Sequence, residues 1–299
     1  MARPLQQRIG PAPEELLVHL NLDNIASGIA NRPRHAVLAA DFLADVRAAI
    51  AELPPTILQK LGDRLVGIYF VRDLGGTAQS DLIDGGWFRR DLSWIVLDAD
   101  VLSQRNANAW ATWKENTPFK PNPAYALSAT IETAANDNRK NAIRYILLHE
   151  IGHVLSIGEK VHPPWDRPVT TLDGFSFAQL SWQLNASKTY VSQYDHAGFA
   201  DRSKVVYYFG AKLDGAKMPE IYQRLEKTNF PTLYAATNPG DDFAESFASY
   251  VHTVMQKRPW EINILANGNP IKTYRTCWDE VRCAEKRKLL EKILGIAKN

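Results

Sequence analysis

The segment Asn138 to Ile157, "NRKNAIRYILLHEIGHVLSI", constrains this chain more than any other stretch. Its apolar residues recur at helical spacing and predict one long helix over about 138–157, with Gly158 as the residue that ends it. At about 100° per residue, His149 and His153 stand about 40° apart on one stripe, and Glu150 lies about 100° from His149. Leu147, Leu148, Ile151, Val154 and Leu155 fall on the opposite side. One face of this helix therefore belongs in a core, and the other carries two imidazoles and a carboxylate that later elements must address.

His149-Glu150-Ile151-Gly152-His153 is an H-E-x-x-H motif. Two imidazoles one helical turn apart can share a zinc ion at about 2.0–2.1 Å each, while the glutamate stays beside the metal to handle protons. With 7 histidines and 14 glutamates in 299 residues, random placement yields this pattern about 0.008 times per chain. A metal site is thus a better account than accident. Two histidines do not complete a catalytic zinc site, which takes a third protein ligand and leaves a fourth position for water. Position 159 is Glu and position 156 is Ser, so no third histidine follows at the six-residue spacing known from some zinc peptidases. His162 is out of step, and Cys277 and Cys283 lie far downstream. The remaining source is a carboxylate on another helix.

Residues 238–250, "NPGDDFAESFASY", supply three in one turn: Asp241, Asp242 and Glu245. On a helix, Glu245 lies about 40° from Asp241 and His252 about 20°, while Asp242 is off that line at about 100°. Phe243, Phe247, Tyr250 and Val254 make an apolar back. Acids near a helix N-terminus also gain from the macrodipole, so the pattern has a local explanation as well. His252 reads as solvated or hydrogen-bonded, and His162 as a loop residue.

The longer stretch "YAATNPGDDFAESF", Tyr234 to Phe247, resembles the third-ligand segment of the anthrax lethal factor catalytic domain. It is also similar to that of titration factor A-type peptidases and Pro-Pro endopeptidases. Tyr234, Thr237, Asn238, Asp241, Phe243, Ala244 and Glu245 occupy the matching positions. The resemblance covers the two motif segments only. It implies an HExxH zinc metallopeptidase of the gluzincin type, with an α+β zincin-like fold: a small mixed sheet packed on the active-site helix, then a mostly helical C-terminal part. It implies Asp241 as the third zinc ligand, Tyr234 near the reacting carbonyl, and Glu245 beside the metal, orienting His149 or His153. A strand near 92–99 would line the substrate cleft. That group usually has Glu where Asp241 stands, so Glu245 remains the alternative third ligand.

For the rest of the chain, helical periodicity predicts helices over 36–52, 218–227, 241–256 and 278–295. Strands are expected at 65–73, 92–99 and 204–210, with a hairpin over 261–274 around Asn267-Gly268. Gly75-Gly76 and Gly85-Gly86 punctuate a loop. Residues 103–138, polar and rich in Asn and Pro, read as a solvated excursion or a substrate-covering flap. No linker divides the sequence, which suggests a single catalytic domain over 1–299. Within it, 1–64 is an N-terminal helical portion, 65–158 carries the sheet, insertion and active-site helix, and 159–299 holds the third-ligand and C-terminal helices.

The expected function is a zinc-dependent endopeptidase with one zinc ion, Glu150 as general base and a peptide or protein as substrate. The rivals are a zinc-binding regulatory protein with little turnover and a non-peptide amide hydrolase. Glu150 favours an enzyme, because a structural site has no use for it. With 35 basic and 33 acidic residues, the charge balance offers no field for nucleic acid. No apolar run reaches membrane-spanning length. Cys277 and Cys283 are either free thiols or one small-loop disulfide. The pair permits an oxidising compartment, so the reading favours an exported, periplasmic or secreted protein, although the first twenty residues lack the apolar core of a signal peptide.

Overall fold

The structure is a computed structural model that describes residues 4–83, 92–157, 159–164, 168–196 and 198–297. Gly85-Gly86 and the helix-ending Gly158 lie outside the described residues. In chain order the regular elements begin with β1 (Ile9–Pro11), α1 (Glu14–Ala26), β2 (Arg34–His35), α2 (Ala40–Ala51), α3 (Pro55–Leu61), β3 (Leu65–Arg72), β4 (Ala78–Leu82) and β5 (Ser93–Asp98). There follow α4 (Ala99–Ser103), α5 (Ala107–Asn116), β6 (Tyr125–Thr130), α6 (Arg139–Ser156), β7 (Trp182–Leu184) and β8 (Tyr190–Ser192). The last are α7 (Met218–Leu225), α8 (Pro239–Tyr250), β9 (Glu261–Ala266), β10 (Asn269–Arg275) and α9 (Ala284–Leu294). Helices and small sheets are mixed without a repeating βαβ order, in keeping with the α+β expectation. None of the described helices is long and apolar enough to cross a membrane. The chain gathers into two compact units, Met1–Trp110 with Asn136–Leu155, and Ala111–Ala135 with Ser156–Asn299.

The first unit is built on a five-stranded mixed sheet. β1 and β5 flank β3 in parallel, β2 pairs antiparallel with the end of β3, and β4 closes the other side antiparallel to β5. β5 is buried along its whole length, as a strand covered on both faces should be. Its alternation sorts the core. Trp94 and Val96, with Val71 of β3, pack with Leu16, Leu17 and Leu20 of α1. Phe70, on the opposite face of β3, meets Phe42 of α2 edge-on at 5.3 Å. The strand expected to line the cleft, 92–99, is therefore an interior strand with both edges paired. Among the described residues the sheet ends at β4 on one side and at β1 and β2 on the other.

α6 is held against α2 by charge. Arg139 donates to Asp41 and Asp45 at 2.9 and 2.7 Å, and Lys140 and the fully buried Arg144 both reach Glu52. Buried residues run without a break from Asn141 to Gly152. The helix is thus covered around its circumference, so the two-faced helix expected from the sequence is a central one.

In the second unit, β6, β9 and β10 form an antiparallel sheet in the order β10-β9-β6, and β7 pairs with β8. The β9–β10 hairpin turns at Asn267 and Gly268, whose φ angles of 49° and 79° suit the tight two-residue turn that favours Asn-Gly. Two expectations change here. Residues 103–138 are not an excursion, because α5 and β6 fall inside them and β6 is a full partner of β9. The residues near 204–210 are no strand: a short 3-10 turn at Arg202–Lys204 leads into bends. β-branched and aromatic content alone suggests a strand there, but among the described residues no partner strand pairs with it. Cys277 and Cys283 are joined in a buried disulfide with Cα atoms 5.7 Å apart.

Candidate metal centre

α6 presents its two histidines side by side. The Nε2 atoms of His149 and His153 are 3.2 Å apart and the rings meet at 80°. Two nitrogens bound to one tetrahedral ion at about 2.0–2.1 Å sit about 3.3–3.4 Å apart, so this spacing already suits a shared metal. His149 and Glu150 are buried and His153 is half-buried. The i, i+4 spacing on one regular helix brings the imidazole pair together without help from a loop.

Asp241 is set by the start of α8. Asn238 is the N-cap, with its side-chain oxygen accepting from the Asp241 N–H at 2.9 Å, and Pro239 follows in the first turn. Both residues are favoured at these positions. The Asn238 amide also donates to Asp241 Oδ2 at 2.6 Å, and the Thr237 hydroxyl donates to the same oxygen at 2.9 Å. The carboxylate is therefore oriented by its own cap. Among the described residues, one group of potential ligands has donor atoms within 4.8 Å of one another: His149, His153 and Asp241. Two neutral imidazoles and one carboxylate form a donor set that zinc accepts readily.

The other two acids of α8 are buried and engaged elsewhere. Asp242 accepts from Lys286 Nζ at 2.5 Å and from the Trp182 indole at 2.9 Å, all out of water. Burial raises the Asp242 carboxyl above the ordinary range and lowers Lys286 to about 8, each opposed by the partner charge. Glu245, the alternative ligand, accepts from Lys114 Nζ at 2.8 Å through one oxygen and from the Thr232 hydroxyl at 3.0 Å through the other. Lys114 is also 3.3 Å from Glu115. Burial pushes the Lys114 ammonium down, but Glu245 and Glu115 more than offset this, and its pKa rises.

Tyr234 sits in a 3-10 turn, Tyr234–Ala236, and is half-buried. Its ring lies 4.5 Å from that of Tyr207 and 4.4 Å from Lys114 Nζ. His252 is buried, with Nε2 2.8 Å from the Ile131 carbonyl and 3.0 Å from that of Pro259. Two carbonyl neighbours require that nitrogen to carry the proton, so it is a donor and not a ligand. His162 is also buried, and its Nδ1 lies 2.7 Å from the Pro163 carbonyl.

Nothing in the sequence pattern singles out Lys114, Glu115 or Lys286 as functional groups. A signal for the helix that carries the first two was present in "WATWKEN", where Trp110 and Ala111 recur at helical spacing with Lys114 one turn on. The Asn- and Pro-rich flanks of 103–138 masked it. No protein-family model, curated protein or solved structure matches this chain.

Proposed function

We propose that this chain is a zincin-like, zinc-dependent peptidase in which His149, His153 and Asp241 bind one zinc ion. The observation that carries this reading is the convergence of those three donors within 4.8 Å, next to the buried Glu150 of the same helical motif. When bound, zinc supplies Lewis acidity, which makes water a usable nucleophile near neutral pH and polarises a carbonyl. Glu150, one residue after a ligand, accepts the proton of the attacking water and passes it to the leaving amine. Tyr234 donates to the oxygen of the attacked carbonyl as charge builds there. Thr237 and Asn238 keep Asp241 aimed and spare the site a reorganisation cost. An extended peptide would approach along β4, one of the edge strands of the mixed sheet among the described residues.

Cleavage of a diverse peptide library by zinc-loaded protein, with Glu150→Gln as control, tests the reading. Wild type should cleave, and the variant should hold zinc while losing about 10²- to 10⁴-fold in kcat, the usual share of a general base. If both proteins hold one zinc and are equally inert, the site belongs to a binding or regulatory protein.

A further inference from the structure

The peptidase reading leaves a buried charge cluster unexplained. Lys114 is 4% exposed, yet it faces two carboxylates, Glu245 and Glu115, that are equally buried. Such a cluster is a poor device for stability. Apolar residues of similar volume often do as well or better, because desolvation consumes most of the attraction. What the cluster does hold is the surroundings of Tyr234. Glu245 accepts from Thr232, and the Thr232 hydroxyl in turn accepts from the Ala235 N–H at 3.1 Å, which pins the turn carrying Tyr234. Glu115 accepts from the Tyr207 hydroxyl at 2.7 Å, and the Tyr207 ring packs against that of Tyr234 at a tilt of 53°. The ammonium itself stands over the Tyr234 ring at 4.4 Å. The last neighbour, Tyr208, adopts a left-handed φ of 67° and meets the Tyr234 ring edge-on at 6.4 Å. A non-glycine residue holds that backbone only where its surroundings impose it.

We propose that Lys114 is a positioning residue for Tyr234, holding the ring with Glu245, Glu115 and Tyr207 and polarising its hydroxyl toward a stronger hydrogen-bond donor. A cation over an aromatic face is attracted to the ring, and the same charge favours electron density on the phenol oxygen. The donor that meets the developing oxyanion is then both fixed and strengthened before substrate arrives. This inference rests on the peptidase reading for its purpose, but the effect of Lys114 on Tyr234 is measurable without it.

The test uses the full-length zinc-loaded protein with ring-labelled tyrosine, the Tyr234 carbon signal being assigned by Tyr234→Phe. In Lys114→Met that signal should titrate at a pH about one higher than in wild type, and Lys114→Arg should restore it. In peptide cleavage, Lys114→Met should lower kcat about 10- to 100-fold with KM unchanged, and less than about twofold in a Tyr234→Phe background. Should Lys114→Met fail to fold, Lys114→Met combined with Glu245→Gln removes the ion pair together and serves in its place. An unmoved Tyr234 titration, or the same kcat loss in both backgrounds, overturns the proposal. If wild type cleaves nothing, the function falls while the titration still decides the role of Lys114.

Discussion

Asp241, Asp242 and Glu245 share one helical turn and have three different sets of partners. Asp241 is governed locally, by the cap residue Asn238 and by Thr237. Asn238→Ala removes both the cap and a donor to the Asp241 carboxylate. It should cost about 1 kcal/mol of stability and weaken zinc binding about 10- to 100-fold; a chelator competition alongside a urea titration reads the two separately. The local part of this site was legible in the sequence, because H-E-x-x-H spacing and an N-cap depend only on neighbours a turn away. The fates of Asp242 and Glu245 were not. Each is fixed by a lysine far off in the chain, Lys286 and Lys114, and helical angle alone cannot choose between a metal and a distant ammonium. Angle placed Glu245 on the stripe of Asp241, and the structure gives it Lys114 and Thr232 as partners.

At the scale of elements, α8 buries two carboxylates, Asp242 and Glu245. From Asp242 to Tyr250 every residue is buried, so each polar group along it must find a partner. The Lys286–Asp242 pair, flanked by the rings of Phe177 and Phe230, shows the consequence. Burial brings Lys286 down from 10.5 to about 8, so between those pH values the unfolded chain holds the extra proton. The contribution of this lysine to stability therefore rises as pH climbs from about 8 toward 10.5 and is lost as pH falls through 8. Denaturant midpoints measured from pH 7.5 to 9.5 should increase in wild type relative to Lys286→Met, whose curve lacks this component. A second prediction concerns β4. Asp98 donates to the Thr77 carbonyl and Ile83 donates to the Leu92 carbonyl, so the odd-numbered residues of this strand face β5. Ala78 and Ser80 then turn their backbone groups to the open side. Ser80→Pro should keep the fold and raise KM about three- to tenfold through one lost main-chain bond; an unchanged KM would place the peptide elsewhere. The strands themselves were readable at 65–73 and 92–99. That both lie inside the sheet, with β4 on the edge beside β5, was not, since pairing order is a property of the sheet and not of any strand's composition.

For the molecule as a whole, the long helix and the helix expected over 241–256, which runs from Pro239 to Tyr250, emerge from sequence, and the mixed sheet of the first unit emerges in part. The interior of 103–138 did not, because β6 is a strand only by virtue of pairing with β9, more than a hundred residues later in the chain. The charged cluster around Lys114 was hidden with it. The proposed peptidase requires one metal ion bound by two imidazoles and a carboxylate from separate helices. The direct measurement is zinc content by elemental analysis of protein purified without chelators, for wild type and for Asp241→Ala and Glu245→Ala. One zinc per chain is predicted in wild type, with loss in Asp241→Ala and retention of at least part of it in Glu245→Ala. A wild type without metal, or Asp241→Ala still holding a full zinc while Glu245→Ala holds none, would contradict the account.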